Sequence, residues 1–204
     1  SLILASASPR RADLLRMIGC RFDVIASDVD EQTEAHLTAS ETVTELARRK
    51  AHHVAQRNGN RIVIGADTVI TIDGRILGKP EDREHAKKTL LELSGVTHQV
   101  LTAVSLLSLD DQREEHVLGT TSVTFRDLNI EEIERYLDTD EPYDKAGAYG
   151  IQGKASLFAE RIDGCFYNVV GFPVTQFWLA LGRITDGNPW SYYTSQHAPD
   201  LLSL

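Results

Sequence analysis

The stretch Leu2-Ile3-Leu4-Ala5-Ser6-Ala7-Ser8-Pro9-Arg10-Arg11 decides how this chain is read. An apolar run suited to a buried strand enters a Ser/Pro turn, and a helix-like run through Leu14, Leu15 and Ile18 follows as far as Gly19. Ser8 as N-cap with Pro9 at the first helical position is a strong helix start. The turn therefore holds an open helix N-terminus, whose free N–H groups attract anions. Ser6 and Ser8 add hydroxyl donors, and Arg10 and Arg11 add two guanidinium forks that match phosphate oxygens. We read it as a phosphate-binding turn; the plainer alternative is a capped surface helix with solvated arginines. It follows neither the Walker A nor the G-x-G-x-x-G scheme.

Outward from this turn, Phe22-Asp23-Val24-Ile25 reads as a second strand, so the chain opens with strand, helix, strand, the unit of an α/β fold. The segment Ser27-Asp28-Val29-Asp30-Glu31 then offers either a metal or base site or a solvated loop, and Glu31 is kept as a candidate. Thr38 to Glu41 forms a T-x-x-E capping box, and the helix it opens lines Val43, Leu46, Ala47 and Val54 on one stripe. Lys50 falls on that stripe, where an unpaired charge is costly. It either snorkels past the core edge or reaches an anion in a cleft.

Arg61 to Ala66 reads as a strand buried on both faces, with Asp67 at its end, a position suited to a general base or a metal ligand. Asp73-Gly74 is a hairpin turn that folds Arg75 to Gly78 back onto Val69 to Ile72. A two-residue loop sets Lys79 opposite Thr68, whereas a three-residue loop with a bulge sets it opposite Asp67. Pro80 is read as the start of a helix through Ala86, Leu90 and Leu93 that stops at Gly95. Strands follow over Val100 to Leu107 and Val117 to Phe125, and Asn129 with Glu132 boxes another helix. His98, near a strand start, reads as a hydrogen-bonded structural group.

The segment from Asp140 to Gly153 is rich in glycine, a usual layout for a loop that wraps a ligand. In it Gln152 can read the edge of a base or be a plain loop residue, and Lys145 serves phosphate or pairs with Asp144. A last hairpin is expected from Leu157 to Ile162 and Phe166 to Val170, then a helix to Gly182. Residues 1–185 are expected to form a single domain, and residues 186–204 a C-terminal appendage that docks through its aromatics.

Composition narrows the function classes. The chain has 204 residues, 42% of them hydrophobic, enough for a real core. Lys+Arg 21 against Asp+Glu 30 leaves −9, which disfavours an extended nucleic-acid surface, so any anion must be bound locally. No apolar run approaches a membrane span, and a signal-peptide layout is missing, so a cytoplasmic protein, trimmed of its initiator Met, is expected. Cys20 and Cys165, far apart and without ligand-spaced neighbours, read as buried thiols.

Several motifs in order then carry a resemblance: Ser6-x-Ser8-Pro9-Arg10-Arg11, Gly65-Ala66-Asp67-Thr68, Gly78-Lys79-Pro80, Asp144 to Gly153, and Asn168-Val169-Val170-Gly171-Phe172-Pro173. From Leu2 to about Gly182 the chain resembles the Maf proteins, the septum-formation family of nucleotide pyrophosphatases. The resemblance implies an α/β fold related to the inosine-triphosphate pyrophosphatases, with an elongated mixed sheet flanked by helices and two lobes around a central cleft. It implies hydrolysis of a nucleoside triphosphate to the monophosphate and pyrophosphate with a divalent metal, Mg or Mn, and a homodimer. Asp67 matches the proton acceptor for water, and Ser8, Arg10, Arg11, Glu31, Lys50 and Lys79 match the phosphate and metal site, with Glu31 and Asp67 as the metal carboxylates. Arg10, Thr68 and Gln152 resemble the branch that takes dTTP and UTP rather than the one acting on 7-methyl-GTP. Lys154-Ala155 departs from relatives that often carry a second glycine there. A house-cleaning role on modified nucleotides extends this expectation; the competing one is a nucleotide-binding regulator of cell division in which hydrolysis is secondary.

Overall fold

The structure is a computed structural model and describes residues 1–194. Its strands are β1 (Leu2–Leu4), β2 (Phe22–Val24), β3 (Val63–Ile72), β4 (Arg75–Leu77), β5 (Thr97–Ser108), β6 (Arg113–Phe125) and β7 (Ala159–Asp163). They form one mixed sheet in the order β2-β1-β3-β5-β6-β7, with β4 also on β3. The flanking helices are α1 (Pro9–Met17), α2 (Ala39–Ala55), α3 (Arg83–Leu93), α4 (Ile130–Leu137), α5 (Phe166–Val170) and α6 (Val174–Ile184). The α/β architecture expected from the opening strand-helix-strand unit is therefore present.

Strand alternation assigns the two faces of β3. Val63 and Val69 bury against Val43, Ala47, Ala51 and Val54 of α2. Ile64, Ala66 and Ile70 face the larger core, shared with Leu15 of α1, Leu90 of α3, Ile133 of α4 and Phe177 of α6. Asp67 falls on the first face and Thr68 on the second.

One edge of β3 is interrupted. β1 pairs with it in parallel only as far as Leu4 opposite Ile64, and β4 pairs antiparallel only over Ile70 to Ile72. β5 takes the whole opposite edge, from Val63 to Thr71. β1 and β4 thus share one edge and leave a notch from Gly65 to Val69 where β3 meets no strand. Side chains from both faces can reach a ligand there.

Three expected boundaries are corrected. Asp67 does not end its strand, because pairing with β5 carries β3 on to Ile72. Pro80 does not start α3; Asp82 caps it by accepting from the His85 N–H at 2.7 Å. The last hairpin fails in its second arm, which is the helix α5. There the β-prone Phe166-Tyr167-Asn168-Val169-Val170 is overruled by Asn168, fully buried and bound to Val100 and Thr121, which fixes a helical turn on the sheet. The Asp73-Gly74 turn is the two-residue type: Ile72 faces Arg75 and both turn residues have positive φ. Continuing that register places Lys79 at the level of Thr68.

Cys20 is buried and its thiol is pushed up to about 12, whereas Cys165 is only half-buried, against expectation. His98 is buried and hydrogen-bonded to the Tyr149 hydroxyl at 2.7 Å, as a structural histidine should be. Trp190 stacks edge-on against Trp178, and Tyr193 bridges to Cys20. Residues 195–204 of the appendage lie outside the described residues. Among the described residues no helix is long and apolar enough to cross a membrane.

Candidate active site

The turn after β1 delivers the N-terminus of α1 to one side of the notch. Ser8 is the N-cap with Pro9 behind it, as read from the sequence, yet its hydroxyl makes no capping bond and the first turn holds no acidic side chain. The helix end is therefore open to an anion. Ser6 serves the turn itself: it is buried, and its hydroxyl accepts from the Ser8 N–H at 3.2 Å and from Arg11 Nη1 at 3.1 Å.

Arg11 is nearly buried as well, and it ties three segments together. Nη1 reaches Ser6, Nη2 donates to Thr68 Oγ1 at 3.0 Å, and Nε donates to the Gly171 carbonyl at 3.0 Å. Burial pulls its pKa down, opposed by the attraction of Asp67. Arg10, by contrast, is half-buried and makes no hydrogen bond or ion pair among the described residues. Its charge is felt by Asp144 of the glycine-rich segment. Of the two arginines, Arg10 has the uncommitted fork.

On the other face, α2 presents Lys50. Its Nζ sits 2.7 Å from Asp67 Oδ1 and 2.7 Å from Glu31 Oε1. Lys50 and Asp67 keep only 11% and 13% of their side-chain exposure, against 62% for Glu31. The inward lysine is thus a bridge between carboxylates rather than a snorkelling surface group. Its hydrogen bond holds the Glu31 carboxyl below its ordinary range, with Lys79 and Arg11 adding to the effect. Lys79 itself is exposed at the notch.

Two features that make this possible escaped the sequence reading. Gly65 lets α2 lie against β3: a Cβ there would fall 2.1 Å from the Ala47 carbonyl oxygen and 2.6 Å from the Ala51 nitrogen. Arg49 donates to the carbonyls of Gln32 at 2.7 Å and Asp30 at 3.5 Å, which pins the loop on either side of Glu31. The glycine at 65 stood in a motif, and Arg49 carried no signal beyond its place next to Lys50.

The glycine-rich segment borders the notch from the β4 side. Gly147 donates its N–H to Gly78 O at 3.1 Å, and its positive φ with no Cβ lets it press on Ile70, whose Cδ1 a Cβ would meet at 2.9 Å. Lys145 binds Asp144 at 2.5 Å and the Glu141 carbonyl at 2.8 Å, the pairing alternative of the two read from the sequence. Gln152 is exposed and makes no hydrogen bond among the described residues. Glu141, also missed, organises its turn by accepting from the N–H groups of Lys154 at 2.8 Å and Ala155 at 3.2 Å. The Lys154-Ala155 departure is thereby accommodated through backbone bonds that do not depend on side-chain identity.

Among the described residues no group of three or more His, Cys, Asp and Glu side chains gathers as a metal site. Glu31 and Asp67 supply hard carboxylate oxygens, a set that suits Mg²⁺ or Mn²⁺ when substrate phosphates complete the shell.

The chain is similar to known proteins over most of its length. The family model described as "Maf-like protein" matches residues 1–184. A dTTP/UTP pyrophosphatase of Acetivibrio thermocellus is 45% identical over 192 residues, covering 91% of this chain and 92% of that protein. One from Bacillus velezensis is 50% identical over 180 residues, covering 88% and 94%. Among solved structures, a Ham1 protein of Staphylococcus aureus is similar with TM-score 0.44 and 21% identity over 61% of this chain and 71% of that one, a partial likeness that says nothing about chemistry. On the family match and these identities, the chain belongs to the Maf-like protein family.

Proposed function

We propose that this chain hydrolyses dTTP and UTP to the nucleoside monophosphate and pyrophosphate, the activity for which its relatives are named. The observation that carries this reading is the meeting of Lys50, Asp67 and Glu31 at the interrupted edge of β3, beside the open N-terminus of α1. Nucleotide pyrophosphate chemistry needs cations for the phosphates and a carboxylate for water, and both converge on one notch.

The free amides of α1 and the charges of Arg10 and Lys79 receive the triphosphate. Lys50 holds Asp67 by Oδ1, which leaves Oδ2 to take a proton from water. That water attacks the α-phosphorus, the bond to the bridging oxygen breaks, and pyrophosphate leaves. Arg11 acts by position: its bonds to Ser6, Thr68 and Gly171 hold the turn against β3. Glu31 and Asp67 would hold the divalent ion, which would supply neutralising charge to the phosphate oxygens.

The test is pyrophosphate release with Mg²⁺ or Mn²⁺ from dTTP, UTP, CTP, the purine triphosphates and 7-methyl-GTP. Selective release from dTTP and UTP, lost in a folded Asp67→Asn variant, is the expected result. No release from any nucleotide would sink the proposal and favour a binding regulator.

A further inference from the structure

Residues 25–38, between β2 and α2, carry Glu31 but form no helix or strand, and none of them is buried. The ends of this segment are set. The Ile25 N–H donates to the Leu4 carbonyl at 3.1 Å, Ser27 Oγ donates to the Ala5 carbonyl at 3.3 Å, and Thr38 caps α2. Over residues 28–37, among the described residues, only Lys50 and Arg49 reach in from the rest of the chain by hydrogen bond or ion pair.

These two neighbours on α2 grip different kinds of group. Successive helical residues point about 100° apart, so Lys50 turns inward to Asp67 while Arg49 turns to the side along which the segment passes. Lys50 holds a carboxylate, Nζ to Glu31 Oε1 at 2.7 Å. Arg49 holds backbone: Nη1 donates to the Gln32 carbonyl at 2.7 Å and more weakly to the Asp30 carbonyl at 3.5 Å, so one nitrogen straddles Glu31. The same guanidinium is fixed to its own helix, Nε donating to Glu45 Oε1 at 2.8 Å. A carboxylate given to a divalent ion is shared or lost by Lys50, whereas the carbonyls of Asp30 and Gln32 stay with Arg49.

We infer that Arg49 is a positioning residue for the metal carboxylate: it anchors the backbone on both sides of Glu31 and keeps that side chain at the notch when its carboxylate passes from Lys50 to the divalent ion. This role rests on the hydrolytic reading above, in which Glu31 and Asp67 hold the ion, and adds the residue that sets how tightly they do so. Without Arg49 the exposed segment has to be ordered each time an ion binds, and the entropy of that ordering is subtracted from the affinity. Groups that orient a metal ligand matter by roughly 10- to 100-fold in affinity.

The experiment measures Mn²⁺ binding to the full chain by electron paramagnetic resonance of free Mn²⁺, with α,β-methylene-UTP present because its P–C–P bridge resists hydrolysis. Wild type, Arg49→Leu and Arg48→Leu are compared. Arg48 is the preceding residue on α2, carries the same charge and pairs with Glu45 and Glu114, each at 3.7 Å. Removing a positive charge by itself favours a bound cation, so charge and position predict opposite signs. Arg49→Leu is expected to weaken Mn²⁺ binding by about tenfold or more, and Arg48→Leu to leave it unchanged or slightly tighter. Both variants should keep a Tm near that of the wild type, since both side chains lie at the surface. In the metal-free protein, amide hydrogen exchange over residues 28–37 is expected to speed up in Arg49→Leu alone. Mn²⁺ held by Arg49→Leu as tightly as by the wild type or more so, an equal weakening in Arg48→Leu, or unchanged exchange over residues 28–37 overturns the role of Arg49 while the proposed hydrolysis stands. A wild type that binds no Mn²⁺ overturns metal assistance in that hydrolysis first, and this role with it.

Discussion

Gly65→Ala tests the contact on which the whole site depends. The new methyl would lie 2.1 Å from the Ala47 oxygen and 2.6 Å from the Ala51 nitrogen, both backbone atoms of α2. Backbone cannot rotate aside as a side chain can, so α2 must withdraw from β3 by about 1 Å to regain ordinary packing distance. Overpacking of this kind costs about 1–3 kcal/mol, which for a chain of this size lowers Tm by about 3–10 °C. Lys50 stands one residue before Ala51 and moves with the helix, which breaks its 2.7 Å contact with Asp67. A misplacement of about 1 Å at a reacting centre costs roughly 100-fold in rate. Thermal unfolding and pyrophosphate release from UTP measure the two effects, with Gly78→Ala as the thermal control because nothing lies within 4 Å of its added Cβ. A Gly65→Ala protein with wild-type Tm and kcat would refute the reasoning.

Lys50→Met should let the Glu31 carboxyl rise toward its ordinary range and leave Asp67 without its cation, at a cost of about 3 kcal/mol in stability, given the exposure of Glu31. Turnover should fall with it; urea unfolding and a rate assay check both, and retained turnover would contradict the role given to Lys50. Glu141→Gln weakens the charge-assisted bonds to Lys154 and Ala155, so KM for UTP should rise with kcat little changed; an unaltered KM would count against the glycine-rich turn as a substrate wall. Burial pushes the His98 imidazole down to about 4 from an ordinary 6.5, so between these values the unfolded chain binds the proton and the folded one does not. Stability from this group is complete above about pH 6.5 and falls by about 3 kcal/mol as pH drops toward 4. His98→Gln should flatten that part of the profile in urea titrations, and an identical slope would argue against it.

The local pieces were legible where a local rule governs them. Ser8-Pro9 opened α1, Thr38 with Glu41 boxed α2, and Asp73-Gly74 marked a hairpin turn, because caps and turns depend on adjacent residues, while the choice between a two- and a three-residue loop was made only by the pairing of β3 with β4. The inward place of Lys50 followed from helical period, and the site motifs followed from resemblance. The misreadings share a cause: Asp67 looked like a strand end and Phe166 to Val170 like a strand because their conformations are decided by β5 and by Asn168, partners remote in the chain. Glu141 and Arg49 were missed for the same reason, since each acts on backbone groups brought near by folding.

The sequence by itself determined the helix starts, the turns, the apolar faces and the residues able to bind phosphate, all of which are set within a few residues of chain. Only the tertiary structure decided that β1 and β4 leave an open notch on one edge of β3, and that Asp67 and Thr68 approach it from opposite faces. It alone decided that Arg11 ties Ser6, Thr68 and Gly171 together while Arg10 makes no hydrogen bond or ion pair among the described residues. Which groups a side chain can satisfy depends on what packs against it, and that is set by strand pairing across long loops rather than by neighbours in sequence.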